Sequence, residues 1–103
     1  MLFLARMDVV FPESMTDETK ADYQHREKAY SGELQRTGVL KGIWRVVGEY
    51  ANYSIYDVED NDELQTVLSG FPMFVYMNFK VTPLAKHPNA TTDDFFDGNT
   101  IQE

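Results

Sequence analysis

Apolar residues alternate with other residues near both ends of the chain, and this spacing limits the possible fold more than any other feature. Residues 2–10 carry the alternation at Phe3, Ala5, Met7 and Val9. A later stretch repeats it at Val75, Met77, Phe79 and Val81. A period of two residues is typical of a strand with one buried face. We therefore predict a first strand over residues 2–10, before Pro12, and a last strand that runs from Val75 until Pro83 ends it.

A long helix is predicted after the first strand. Residues 16–37 contain no Pro and no run of β-branched residues, and Gly38 follows them. The acidic pair Asp17 and Glu18 stands near the start of this stretch, where a helix N-terminus favours negative charge. These features predict one helix that is capped by Gly38.

A hairpin and a second helix follow in the middle of the chain. Residues 40–47 and 51–58 are rich in Val, Ile, Tyr and Trp, and Gly48 and Glu49 supply turn residues between them. The next segment has the marks of a short helix, namely a capping Asp60, an apolar side and a stop at Gly70 before Pro72. The apolar side consists of Leu64, Val67, Leu68 and Phe71.

The resulting order βαββαβ predicts an α+β, ferredoxin-like domain, with a four-stranded antiparallel sheet and both helices on one face. Residues 1–90 are expected to form this single domain, and residues 91–103 a polar, acidic tail. The sheet face without helices carries aromatic residues from the hairpin. Since a second subunit covers such a face most cheaply, we expect a homo-oligomer.

Composition excludes several kinds of function. The 103 residues include 17 acidic and 9 basic side chains, for a formal net charge of −8, which disfavours binding to nucleic acid. The apolar start of the chain reaches only to Arg6, too short to span a membrane, so we expect a cytoplasmic protein. The chain has no Cys, widely separated His residues and no phosphate-binding glycine motif. We therefore expect no metal and no cofactor.

Glu27 is the first candidate for chemistry. Tyr23, Glu27, Tyr30 and Leu34 share one face of the long helix, so the carboxylate lies within an apolar stripe. Desolvation there would raise its pKa, as a general base that must also return its proton requires. Alternatively, Glu27 forms an ion pair with Arg6 or Lys28, or keeps its carboxylate in water at the margin of the stripe.

Two further groups of residues are candidates for binding. Arg45 can hold a small carboxylate through two parallel hydrogen bonds, or it is a solvated strand residue beside Trp44. Tyr50, Asn52, Ser54 and Tyr56 alternate along one strand and place uncharged polar groups on one side of the sheet. Such groups suit a developing enolate oxygen, and they suit a polar subunit interface equally well.

Residues throughout the chain resemble one known family. They are Met1-Leu2-Phe3, Met7, Pro12, Glu27-Lys28, Leu34-Gln35-Arg36, Trp44-Arg45, Gly48, the run from Tyr50 to Ser54, Asp57-Val58, Phe71-Pro72, Phe74, Tyr76-Met77 and His87-Pro88. Together they closely resemble the muconolactone Δ-isomerases of the β-ketoadipate pathway over residues 1–90. Two positions depart from the family pattern. Val75 stands where many members have Pro, and Leu4 stands where some have His.

The resemblance implies a cofactor-free enzyme of the catechol-degradation pathway that converts muconolactone to 3-oxoadipate enol-lactone. It implies Glu27 as the acid and base, and Tyr50, Asn52, Lys28 and Arg45 as pocket residues. The chemistry of that reaction predicts catalytic roles for Tyr50 and Asn52 as donors to the lactone carbonyl oxygen, and Arg45 or Lys28 as the ligand of the substrate carboxylate. We add Trp44, the neighbour of Arg45, to the predicted substrate-binding residues. The resemblance also implies ring-like oligomers, usually decamers built from dimers.

Three other functions remain compatible with the sequence. A chloromuconolactone dehalogenase shares the scaffold and loses chloride after the same kind of proton shift. A cofactor-free monooxygenase of the dimeric α+β barrel type has a similar size and element order. A ligand-binding or assembly module would use Glu27 only as an ion-pair partner.

Overall fold

The computed structural model describes residues 1–91, which form one sheet and two helices. The elements follow one another as β1 (Leu2–Val9), α1 (Asp17–Arg36), β2 (Leu40–Arg45), β3 (Ala51–Asp57), α2 (Asn61–Ser69) and β4 (Met77–Leu84). The strands lie in the order β2-β3-β1-β4, and every neighbouring pair is antiparallel. The predicted ferredoxin-like βαββαβ fold is therefore confirmed.

The alternation in β1 divides the sheet into two different faces. Phe3, Ala5 and Met7 are at most 2% exposed and pack with Leu34 of α1 and Leu68 of α2. We call this helix-covered side the inner face. The residues between them in β1 point to the other side, which we call the open face. Both helices thus lie on one face of the sheet, as predicted.

Local signals in the sequence fix the ends of α1. The hydroxyl of Thr16 accepts a hydrogen bond from the backbone N–H of Thr19 at 3.1 Å, which caps the N-terminus. At the other end Gly38 has a φ of +83°, a left-handed conformation that glycine adopts without strain. The helix ends at Arg36, close to the predicted boundary.

The start of α2 is also marked in the sequence. The carboxylate of Asp60 accepts the backbone N–H of Glu63 at 2.8 Å, and Glu63 returns a hydrogen bond to the backbone N–H of Glu59 at 3.2 Å. Leu64 and Leu68 lie in the core, in agreement with the predicted apolar side. This short helix and α1 together cover the inner face.

A β-bulge between Leu40 and Gly42 decides which side chains of β2 reach the inner face. Residues opposite one another in an antiparallel pair share a face, and Arg45 is opposite Asn52 whereas Trp44 is opposite Tyr53. Arg45 therefore points to the inner face and Trp44 to the open face. The indole ring of Trp44 lies against Gly42, which has no side chain to obstruct it.

The predicted boundaries of the last strand are wrong at both ends. Val75 is 76% exposed and lies in a 3₁₀ turn, Phe74–Tyr76, so β4 begins only at Met77. The backbone N–H of Tyr76 donates to the carbonyl of Met73 at 2.8 Å, which closes this turn instead of extending the ladder. The strand also continues past Pro83, because β4 is an edge strand and an edge tolerates a missing N–H.

No helix within residues 1–91 is both long and apolar enough to cross a membrane. The cytoplasmic location expected from the sequence stays a prediction, as does the domain boundary at residue 90. Apart from its first residue, the predicted acidic tail lies outside the described residues.

Candidate active site

A cavity of about 380 Å³ lies between α1 and the inner face of the sheet. Five of the six predicted site residues line it, namely Glu27, Lys28, Arg45, Tyr50 and Asn52. They come from three parts of the chain. Glu27 and Lys28 belong to α1, Arg45 ends β2, Tyr50 immediately precedes β3, and Asn52 lies in β3. Their convergence depends on the alternation of β3 and on the bulge in β2.

The carboxylate of Glu27 is held by a hydrogen bond from a distant part of the chain. Its Oε1 accepts the backbone N–H of Met73 at 3.0 Å, at the start of the 3₁₀ turn. Burial raises the pKa of Glu27 above its usual value, and the hydrogen bond from Met73 offsets part of that rise. A half-buried carboxylate with a raised pKa holds a proton more readily than a solvated one, as a base that must also return its proton requires.

The alternative in which Glu27 pairs with Arg6 is excluded by the structure. Arg6 lies on the open face, where its guanidinium donates to Asp8 at 3.0 Å and to Glu49 at 2.8 Å. Among residues 1–91, Glu27 is also the one carboxylate that lines the cavity. Within the same residues, no group of three or more His, Cys, Asp or Glu side chains is arranged to hold a metal ion.

The tyrosines behind Glu27 do not compete with it as bases. Tyr30 donates its hydroxyl hydrogen to the carbonyl of Val67 at 2.7 Å. Tyr56 is fully buried. Burial raises the pKa of both phenols, and the nearby charge of Glu27 adds to the rise, so both hydroxyls stay neutral at physiological pH.

Two cations face the cavity without an acidic partner. Within residues 1–91, neither Lys28 nor Arg45 forms an ion pair, although the chain carries a net charge of −8. The guanidinium carbon of Arg45 lies 5.1 Å from the centre of the Tyr50 ring, a cation–π contact that restrains the side chain. A bound anion therefore finds two cationic groups that no carboxylate of residues 1–91 pairs with.

Tyr50 and Asn52 bring hydrogen-bonding groups to the same cavity. The Tyr50 side chain is 40% exposed, and its hydroxyl oxygen accepts a hydrogen bond from Nε2 of Gln24 at 3.0 Å. The side-chain carbonyl of Asn52 is buried, and no described residue is bonded to it. Both residues thus place uncharged polar groups beside Glu27.

Trp44 is the predicted substrate-binding residue that the structure separates from the others. Its side chain lies on the open face and is 50% exposed. Adjacent residues of a strand point to opposite faces, so Trp44 and Arg45 cannot both reach this cavity within one chain. Trp44 is therefore not among the residues that line it.

Several lining residues were missed by the sequence analysis. Gln24 and Ser31 lie three residues before and four residues after Glu27 on α1, and this spacing could have identified them. The apolar wall gave no comparable signal, because its residues come from separate segments. It consists of Met7, Val9, Ile43, Ala51, Phe71, Met73 and Met77.

Comparison with known proteins identifies the family. The family model described as muconolactone delta-isomerase matches residues 1–90. The chain belongs to the muconolactone delta-isomerase family. It is 54% identical over 94 residues to muconolactone Delta-isomerase 1 of Acinetobacter lwoffii, covering 91% of this chain and 98% of that protein. It is 56% identical over 90 residues to muconolactone Delta-isomerase of Cupriavidus pinatubonensis, covering 87% and 98%.

Solved structures agree with this membership. A crystal structure of muconolactone isomerase superposes with a TM-score of 0.86 at 36% identity, covering 91% of this chain and 98% of that one. A 5-chloro-2-hydroxyhydroquinone dehydrochlorinase from Burkholderia phenoliruptrix superposes with a TM-score of 0.65 at 17% identity, covering 84% of this chain and 96% of that one. This second likeness extends only to the fold. The predicted muconolactone delta-isomerase resemblance and the isomerase class are therefore confirmed.

The raised pKa of Glu27 predicts how its replacement changes stability with pH. Because the folded protein binds this proton more tightly than the unfolded chain, wild-type stability falls as the pH rises from the unfolded pKa through the folded one. Glutamine remains neutral and still offers Met73 an acceptor. Glu27→Gln should therefore gain stability relative to wild type across that interval, and urea unfolding at a series of pH values measures the difference.

Glu33 provides a matched control on the same helix. It is exposed, and its hydrogen bonds from Arg36 lower its pKa, so its carboxylate stabilises the fold as the pH rises. Glu33→Gln should therefore lose stability relative to wild type as the pH rises, whereas Glu27→Gln gains it. Equal pH dependence in the two variants would contradict the interpretation that Glu27 is desolvated.

Proposed function

We propose that this member of the family converts muconolactone to 3-oxoadipate enol-lactone by a 1,3-proton shift in which Glu27 is both the base and the acid. The observation that carries the proposal is one half-buried carboxylate, held by Met73, in a cavity with two cations that form no ion pair with any residue the structure describes. Family membership supports the substrate. The roles of the individual residues rest on the geometry of the cavity.

The proton transfer needs only one carboxylate. Glu27 removes a proton from the ring carbon beside the lactone oxygen, and the electron pair of that C–H bond is delocalised through the ring double bond to the lactone carbonyl. Glu27 then returns a proton to the carbon next to the carbonyl, on the same ring face. The double bond has moved and the atoms balance. The raised pKa of Glu27 favours this return step.

The intermediate carries negative charge on the lactone carbonyl oxygen. Hydrogen-bond donors aimed at such an oxygen stabilise the transition state more than the ground state. Tyr50 can supply its hydroxyl and Asn52 its side-chain amide, since both line the cavity with Glu27. Neither group is charged, so neither forms an ion pair with the carboxylate of Glu27.

The free carboxylate of the substrate needs a cation that fixes the orientation of the ring. Arg45 suits this role because its guanidinium offers two parallel donors and its contact with Tyr50 restrains it. Lys28 lines the same cavity and is the second candidate. Correct alignment of the ring brings the two reacting carbons within reach of one carboxylate.

The first prediction concerns the substrate. Purified protein should isomerise muconolactone with no added metal or cofactor, and absorbance spectroscopy of the lactones follows the reaction. Assaying 5-chloromuconolactone beside it separates the proposed activity from the dehalogenase alternative. Chloride release without any isomerisation of unsubstituted muconolactone would contradict the proposal. An oxygen electrode in the same assay tests the monooxygenase alternative, and we expect no oxygen uptake.

The second prediction concerns the carboxylate site. Arg45→Met should raise KM by about 10-fold or more, the effect of losing a charged hydrogen bond worth roughly 1.5–3 kcal/mol. The fall in kcat should be smaller. Lys28→Met is the matched comparison, because it removes the other cavity cation. An unchanged KM in Arg45→Met together with a raised KM in Lys28→Met would assign the carboxylate to Lys28 instead.

We further propose that the open face forms a subunit interface in a homo-oligomer, a decamer built from dimers. Exposed aromatic residues on this face support the proposal, since Trp44 is 50% and Tyr53 is 40% exposed. Tyr53→Glu should lower the mass measured by light scattering, because it buries a charge in the interface. Val75→Glu, which adds the same charge outside the sheet, should leave it unchanged. A monomeric wild-type protein at micromolar concentration would disprove the assembly.

A further inference from the structure

The hydroxyl of Tyr50 accepts a hydrogen bond from Gln24, a residue that has no role in the proposed reaction. Nε2 of Gln24 lies 3.0 Å from Oη of Tyr50. Gln24 stands three residues before Glu27 on α1, and both side chains line the cavity. The bond therefore connects the helix that carries the base to Tyr50, the residue immediately before β3.

The ring of Tyr50 is held independently of its hydroxyl. The ring centroid of Phe11 lies 6.1 Å away on one side, and the guanidinium of Arg45 lies 5.1 Å from the ring centre. Phe11 in turn contacts Tyr23 and Tyr76, with ring centroids 6.3 Å and 5.4 Å away. These contacts act on the ring and leave rotation of the O–H bond to be set by hydrogen bonds to the hydroxyl.

A phenol oxygen has one hydrogen to donate and two lone pairs that accept. The amide N–H of Gln24 occupies an acceptor position, so the Tyr50 O–H cannot be directed at that same group. We propose that Gln24 is a positioning residue that directs the Tyr50 hydroxyl toward the lactone carbonyl oxygen. The proposal rests on the proposed role of Tyr50 as a donor. A hydroxyl that accepts one hydrogen bond also donates a second one more strongly.

A double-mutant cycle with Tyr50→Phe tests the proposal. Phenylalanine keeps the ring and its contacts with Phe11 and Arg45 and removes only the hydroxyl. Gln24→Met has a similar size and cannot donate, so kcat for muconolactone should fall by about 3- to 10-fold with little change in KM. The same substitution should have no effect on kcat in the Tyr50→Phe background, because no hydroxyl remains to be positioned.

Gln24→Glu provides a second test, because it reverses the direction of the hydrogen bond with Tyr50. The carboxylate only accepts, so it would draw the Tyr50 O–H away from the substrate and lower kcat further than Gln24→Met does. Its added charge also acts on Glu27, three residues away. That effect persists in the Tyr50→Phe background, whereas the loss of hydroxyl positioning does not. The difference between the two backgrounds therefore isolates positioning.

Gln35→Met is the matched control on the same helix. Its side chain donates to the backbone carbonyl of Ser31 at 3.2 Å and does not line the cavity, so kcat should be unchanged. The role of Gln24 would be overturned if Gln24→Met lowered kcat equally in both backgrounds, or in neither. The role of Tyr50 would still stand in that case, provided that Tyr50→Phe alone lowers kcat. Wild-type turnover by Tyr50→Phe would overturn both roles.

Discussion

The hydrogen bond from the backbone of Met73 to the carboxylate of Glu27 joins segments 46 residues apart. It fixes Oε1 and leaves Oε2 without a partner among the described residues. It also depends on the 3₁₀ turn before β4, since an N–H committed to a sheet ladder could not reach the helix. The contact holds the carboxylate at its half-buried position, where burial raises its pKa and the hydrogen bond offsets part of that rise.

The charge of the cavity is opposite to that of the chain. A net charge of −8 gives no long-range attraction for a carboxylate substrate, so binding must depend on groups close to the ring. Lys28 and Arg45 supply that local charge, and neither is neutralised by a carboxylate within the described residues. Met7, Met73 and Met77 line the same cavity, and apolar side chains beside charged groups strengthen electrostatic contacts by lowering the local dielectric constant.

Local patterns in the sequence predicted the fold and the position of Glu27, because helix periodicity and strand alternation act over a few residues. They could not predict which of Trp44 and Arg45 points to the cavity. The bulge between Leu40 and Gly42 reverses the alternation of the residues that follow it. The hydrogen-bond partner of Glu27 could not be predicted either, because Met73 contributes a backbone N–H that no residue pattern identifies. The same turn displaced Val75 from the predicted strand.

Turnover of muconolactone by Glu27→Gln shows whether Glu27 is the group that moves the proton. Glutamine preserves the size of the side chain and can still accept the hydrogen bond from Met73, so the substitution removes the base with little disturbance of the cavity. We expect a folded protein that binds muconolactone and has a kcat lower by about 100-fold or more. A kcat close to that of the wild-type enzyme would show that another group moves the proton.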